Sequence, residues 1–242
     1  MLGPSRRGYS ISRRTAQHSE LTMLAALLPS TVYSNEVFDG GCDEAELFPA
    51  EAALVEAASQ QRRREFTGAR VCARLALARA GFAPAPIMPG PSGEPQWPAG
   101  AVGSITHCAG YRAAAVALTG NFAAIGIDAE PHAALPGGVL RMVASESERE
   151  MLAGLSARVP GVCWDKILFS AKESVFKAWF PMTGRWLGFA DAEIEIDPSG
   201  TFAARLLVPG PVIGGRQIST YGGFWSVDRA IAVTAVSVPA TD

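Results

Sequence analysis

The sequence predicts an α+β fold made of two similar lobes in one chain. Two observations carry this. A helix-like segment followed by strand-like runs occurs in each half, and 242 residues suit one large domain or two small lobes. At 48% hydrophobic and 18% charged residues, the chain has the composition of a folded protein with a buried core. No repeat at solenoid spacing is present.

The elements follow in order. Residues 1–22 read as a disordered extension. They carry Arg6, Arg7, Arg13 and Arg14 against a single acid, Glu20. Such a segment is either a transit or twin-arginine leader, or the product of an upstream start, with the working protein beginning near Met23. The apolar stretch Leu24–Leu28 ends early at Pro29 and favours the second reading. Residues 51–80 predict one helix, with Gly68 as a possible break and Gly81 as its stop. Residues 83–101 hold six prolines and three glycines and predict an irregular loop. Strands are expected at Ala101–Thr106 and Ala113–Leu118, paired around Gly110, and at Ala124–Asp128. Helices are expected at 145–155, opened by a Ser145/Glu148 capping box, and at 165–179, stopped by Pro181. Strands Ala192–Ile196, Phe202–Leu207 and Ala230–Val238 complete the chain. This divides it into an N-terminal lobe, 23–120, and a C-terminal lobe, 121–242, with a cleft between them as the place for a ligand.

Bulk chemistry excludes some functions. Lysine and arginine total 21 against 23 acids, so nothing suggests general nucleic-acid binding. The apolar runs are too short to span a bilayer, which argues against a membrane protein. The four cysteines form no C-x-x-C pair and no zinc-like cluster, as expected of a reduced, cytoplasmic protein.

Three segments are candidates for chemistry. Asp128 and Glu130 close an apolar run and, two apart in an extended chain, point to one side. They suit a hard cation such as Mg²⁺, with the Ala129 carbonyl as a further ligand. They also suit an ordinary strand end before Pro131. Glu173 and Lys177 share a helical face. They read as a third metal ligand or general base and a phosphate contact, with Lys172 beside them, or as a surface ion pair. Ser170 with Glu173 also matches a capping box. His107, after Thr106, reads as a hydrogen-bonded core histidine or as a donor to a phosphate or ribose oxygen. Upstream lie Arg62, Arg63, Arg64, Arg70 and Arg74. Arg63, Arg70 and Arg74 share a helical face and read as a phosphate-binding set or as a solvated surface.

Six stretches, taken in order, resemble the 4′-phosphopantetheinyl transferase family. They are Arg63–Arg74, Gly93–Pro98, Gly103–Tyr111, Ile125–Pro131, Phe169–Pro181 and Arg185–Phe189. The resemblance is greatest to the pseudodimeric surfactin- and enterobactin-type branch, including its actinobacterial members, and runs from about Arg62 through the last strand. It implies an enzyme that moves phosphopantetheine from coenzyme A to a serine of an acyl or peptidyl carrier protein and releases adenosine 3′,5′-bisphosphate. It implies Mg²⁺, or Mn²⁺ in its place, held by Asp128, Glu130 and Glu173 with Ala129. Lys177, with Lys172, would contact the diphosphate, making Glu173, Lys177 and Asp128 the catalytic set. Thr106, His107, Arg62 and Arg70 would hold the 3′-phosphate side, with Arg62 and Arg63 competing for one place. Pro89, Gly90, Pro91 and Ser92 would run along the adenine; some relatives carry a lysine in this loop, where Pro89 stands here. Carrier proteins are acidic, so a basic or apolar surface such as Arg141–Val143 is expected to receive them, and two lobes in one chain make a monomer sufficient. The alternatives are a non-catalytic module that binds coenzyme A and carriers, and a metal-dependent hydrolase of nucleotide diphosphates.

Overall fold

A computed structural model describes residues 22–38 and 46–241 of the chain. The disorder expected over residues 1–22, except for Thr22, and Cys42 both lie outside them. The fold is α+β with antiparallel sheets, as the sequence predicts.

The N-terminal half contains β1 (Tyr33–Phe38), α1 (Pro49–Val55), α2 (Gln60–Arg79), β2 (Ala101–Cys108) and β3 (Tyr111–Leu118). The single helix expected over 51–80 is two. Ser59 caps α2, its Oγ accepting the Arg62 N–H at 3.2 Å, and Gly68 sits within α2 without breaking it. Strands β2 and β3 pair around Gly110, whose φ of 81° suits a residue without a side chain. The sheet order is β1-β3-β2. Strand β1 gave no signal because Ser34, Asn35 and Glu36 break any apolar alternation. Glu36 has a task instead: its carboxylate accepts the Met23 and Leu24 N–H groups at 2.9 and 2.8 Å and the Tyr111 hydroxyl at 2.7 Å. This knot seats Leu24 and Leu27 in the core beneath β3. Helix α2 lies on the other face of the sheet through small residues, Cys72, Ala73 and Ala76 against Ala114 and Val116.

The C-terminal half contains β4 (Phe122–Pro131), α3 (Val139–Val143), α4 (Glu146–Arg158), α5 (Trp164–Thr183), β5 (Ala192–Asp197), β6 (Thr201–Leu206), β7 (Val212–Ile213), β8 (Arg216–Gln217), β9 (Thr220–Asp228) and β10 (Ile231–Pro239). The main sheet runs β4-β10-β9-β6-β5, and β7 and β8 form a separate ribbon. The Ser145/Glu148 capping box is present in both directions, at 3.2 and 2.8 Å. Helix α5 passes through Pro181, expected to stop it, and ends at Gly184 in the left-handed region. So near its end the helix loses one hydrogen bond to the proline and continues. Strand β9 was hidden by Gly222 and Gly223. A Cβ at Gly223 would lie 2.1 Å from the Phe202 ring, so the strand needs the glycine that disguises it. The core of this half is large and aromatic, with Trp164, Trp179, Ile167 and Leu168 almost wholly buried. Each such aliphatic side chain contributes about 1.5–3 kcal/mol.

The halves meet between β2 and β4. Their backbones do not form a ladder. Instead the Ser104 and Thr106 hydroxyls on β2 accept the Ile127 and Ala129 N–H groups of β4 at 3.1 and 2.9 Å. Strand β4 is thus covered on both faces. Ile125, Ile127 and Ala129 face the core under Leu24, while Ala124 joins the core around α5.

Candidate active site

The site grows from the packing of α5 on β4. Two residues of strand rise about 6.6 Å, and four residues of helix rise about 6 Å. Side chains two apart on β4 therefore meet side chains four apart on α5, running antiparallel. At the first rung is Gly126, where a Cβ would come within 1.9 Å of the Ser174 carbonyl oxygen. At the second, the Ser170 hydroxyl donates to Asp128 Oδ2 at 2.8 Å. At the third, Lys166 Nζ donates to Glu130 Oε2 at 3.1 Å. Just beyond β4, the Cys163 N–H donates to His132 Nε2 at 2.9 Å.

Lys177 and Glu173 flank this ladder. Lys177 Nζ lies 2.7 Å from Asp128 Oδ1, so it pairs with the strand rather than with Glu173. Among the described residues no hydrogen bond reaches the Glu173 carboxylate. Burial, then the Asp128 charge, push the Glu173 carboxyl above the usual range, and Lys177 opposes this. Glu130 is raised by the same two causes in the same order, against the pull of Lys166. Glu130 and Glu173 thus lie in one region with the buried Asp128, whose charge disfavours theirs. Among the described residues, no three His, Cys, Asp or Glu side chains are grouped closely enough to hold a metal as they stand. Two lysines supply positive charge there instead. The Ala129 side chain is buried on the opposite face. Its N–H points toward β2, and its carbonyl points the same way, as both groups of one strand residue do.

Beside the ladder opens a cleft of about 670 Å³, walled by α2, β2, the 89–97 loop and the end of α5. Arg62, Arg70, His107 and Lys177 line it. Arg62 Nη1 lies 3.0 Å from His107 Nε2. Burial and then Arg62 lower the His107 pKa, so its ring is neutral at pH 7 and Nε2 accepts. Arg70 donates through Nε to the Ile87 carbonyl at 2.9 Å and lies over the Phe66 ring. Burial, the leading cause, lowers its pKa to about 10, which leaves it charged at pH 7. Arg63 turns to the Glu56 carbonyl and Arg74 to Glu51 at 2.7 Å, so Arg62 rather than Arg63 joins Arg70 in the cleft.

Some expected residues sit elsewhere. Lys172 does not line the cleft. Its three N–H donors are spent on the Phe189 and Ala192 carbonyls and on Glu148, all within 2.8 Å, in the buried join of α4, α5 and β5. Thr106 is buried, and its hydroxyl serves the Ala129 N–H and Asp128 Oδ1, at 2.9 and 3.4 Å, instead of the cleft. Pro89 and Ser92 line the cleft. Gly90 and Pro91 do not, because the loop folds back through the Gly90 N–H to the Glu94 carbonyl. Ser170 caps nothing: it lies inside α5 and bonds Asp128. Sequence reasoning gave no role to Lys166, Glu94 or the apolar end of the cleft, Phe176 and Trp186. The recurrence Lys166, Ser170, Ser174 against Gly126, Asp128, Glu130 is the signal that finds the ladder.

Known proteins show the same assignment over both halves. The family model for the 4′-phosphopantetheinyl transferase N-terminal domain matches residues 50–117, and that for the 4′-phosphopantetheinyl transferase superfamily matches 124–233. The chain is 55% identical over 221 residues to 4′-phosphopantetheinyl transferase Svp of Streptomyces mobaraensis, across 90% of each chain. It is 43% identical over 230 residues to 4′-phosphopantetheinyl transferase PptT of Mycobacterium tuberculosis, across 89% of this chain and 97% of that one. To 4′-phosphopantetheinyl transferase Npt of Nocardia iowensis it is 45% identical over 224 residues, across 89% and 99%. With this kinship along nearly its whole length, the chain belongs to the 4′-phosphopantetheinyl transferase family, among its actinobacterial-like members.

Proposed function

We propose how this transferase divides the work of moving phosphopantetheine from coenzyme A to a carrier-protein serine. The carrying observation is the adjacency of two unlike walls. Arg62 reaches the cleft on the neutral His107 ring and Arg70 on the Ile87 carbonyl with Glu51 4.0 Å away, and Lys177, in the same cleft, touches the acid group at Asp128. The arginine wall takes the 3′-phosphate of the nucleotide, because guanidinium groups bind phosphate in a bidentate way. Pro89 and Ser92 lie along the adenine. Lys177 turns from Asp128 to the diphosphate.

Asp128, Glu130 and Glu173 fit a Mg²⁺ ion, with Mn²⁺ as a substitute. They are hard oxygen donors in one region, and the burial that first raises Glu130 and Glu173, with the Asp128 charge second, is what a dication would offset. When bound, the ion neutralises charge on the diphosphate and the departing phosphate. The serine oxygen attacks the phosphorus that carries the pantetheine arm, and the diphosphate P–O bond breaks to release adenosine 3′,5′-bisphosphate. Glu173, free of hydrogen bonds and with a raised pKa, accepts the serine proton. Lys177 offsets negative charge at the leaving group.

Residues 23–120 and 121–242 act as the two lobes of a cytoplasmic monomer. The carrier docks on α3, where Met142 is 80% exposed next to Arg141. The test is mass spectrometry of apo acyl, polyketide and peptidyl carriers incubated with the protein, coenzyme A and Mg²⁺, with an EDTA control. The expected result is a metal-dependent gain of one phosphopantetheine on the carrier serine. Coenzyme A binding with no gain on any carrier would instead mark a non-catalytic module.

A further inference from the structure

Ser170 has no place in the transfer chemistry, yet it is wholly buried, and its hydroxyl points out of its own helix. A serine inside a helix usually bonds back to a carbonyl of the preceding turn. Ser174, one turn on and equally buried, does this, donating to the Ala171 carbonyl at 2.9 Å. Ser170 reaches across to Asp128 Oδ2 at 2.8 Å. Behind it stands Thr234 on β10, directly opposite Asp128 in the strand register and also wholly buried. Thr234 Oγ1 lies 3.0 Å from Ser170 Oγ and 2.9 Å from the Ser170 carbonyl.

The protons can be counted. An ionised carboxylate only accepts, so the one proton of Ser170 goes to Asp128. Thr234 gives its proton to the Ser170 hydroxyl or to the Ser170 carbonyl; either way it does not compete for Oδ2. The two oxygens of Asp128 therefore differ. Oδ2 is tied to the buried interior. Oδ1 takes Lys177, a side chain 27% exposed and able to leave, and a longer bond of 3.4 Å from the buried Thr106 hydroxyl.

We infer that Ser170, backed by Thr234, is a positioning residue that locks the Asp128 carboxylate with Oδ1 toward the cleft and so sets the affinity of the acid group for its divalent cation. This rests on the metal reading proposed above. A partner that orients a ligating carboxylate is typically worth about 10–100-fold in metal affinity. The effect requires no contact between Ser170 and any substrate.

The experiment titrates Mn²⁺ into the full-length protein and follows free Mn²⁺ by electron paramagnetic resonance, without coenzyme A or carrier. Wild type is compared with Ser170→Ala, Thr234→Val and, as control, Ser174→Ala. Ser170→Ala is expected to weaken Mn²⁺ binding roughly tenfold or more, Thr234→Val by a smaller factor, and Ser174→Ala not at all. In the transfer assay, kcat of Ser170→Ala returns when Mg²⁺ is raised, and KM for coenzyme A is unchanged. General loosening of the fold would give neither pattern. Near-UV circular dichroism checks that each variant is folded, and the nearly isosteric Thr234→Val carries the test if Ser170→Ala is not. Mn²⁺ affinity equal to wild type in both variants overturns the inference while leaving the metal reading intact. A wild-type protein that binds no Mn²⁺ overturns the metal reading itself, and this inference with it.

Discussion

Helices α2 and α5 are each 20 residues long and each lies across a sheet, yet they bring charge to the cleft in opposite ways. Helix α2 supplies cations resting on uncharged groups: Arg62 on the His107 ring, Arg70 on the Ile87 carbonyl and the Phe66 face. Glu51 is 4.0 Å from Arg70, but its carboxylate is engaged at closer range by Arg74 and the Ile87 N–H. Helix α5 instead matches its cations to acids, Lys166 to Glu130 and Lys177 to Asp128. A cation on a neutral support keeps its charge for an incoming anion. A cation paired with an acid has to exchange partners before it can act. The α2 wall is thus suited to selecting a ligand, and the α5 wall to changing state during the reaction.

The sharpest way to separate the two walls is substitution on each. On the α5 wall, Glu173→Gln should cut transfer about 10²–10⁴-fold by removing the proton acceptor, read as kcat by mass spectrometry with the protein still folded. On the α2 wall, Arg62→Met should raise KM for coenzyme A roughly tenfold. It should leave kcat nearly unchanged and narrow the preference for coenzyme A over its form lacking the 3′-phosphate. If Arg62→Met lowered kcat and spared KM, the division between the walls would fail.

Two further changes probe what holds the α5 wall together. Gly126→Ala places a methyl group against the Ser174 carbonyl and should cost roughly 3 kcal/mol, or about 6–12 °C in Tm, measured by calorimetry. The smallest effect concerns pH. Burial and Asp128 raise the Glu173 pKa, so its stabilising contribution is complete below its unfolded pKa and is lost as pH rises through the folded one. At neutral pH the ionised carboxylate is therefore a local cost. Glu173→Gln should raise Tm by about 1–3 °C at pH 7.5, and the gain should vanish near pH 4, where the wild-type carboxyl is protonated.

The sequence made some of this readable and hid the rest for physical reasons. Asp128 and Glu130 were legible because a strand's alternation puts them on one side, and the Ser145/Glu148 cap because both partners are close in sequence. The fold class came through because apolar runs mark most strands. Strands β1 and β9 were lost to Glu36 and Gly223, residues that serve tertiary contacts rather than a pattern. Lys172 misled because helical spacing does not reveal which way a long side chain turns once a buried Glu148 competes for it. Ser170 misled because a local motif, the capping box, resembles a tertiary contact when only neighbours in sequence are visible. The choice between Arg62 and Arg63 required knowing where α2 begins, and Ser59 fixes that.

The ladder between β4 and α5 works like a vernier, two scales of nearly equal division that coincide over only a few marks. Their steps differ by about 0.6 Å per rung, and the matched contacts run from Gly126 to His132. The contacts therefore constrain chain length on both elements here. Losing one residue from β4 would turn the acids to the opposite face, and adding one to α5 would rotate Ser170 and Glu173 away from the strand. The β7–β8 ribbon, largely exposed and making none of the ladder's hydrogen bonds, can lengthen or shorten at its turn without moving a single carboxylate.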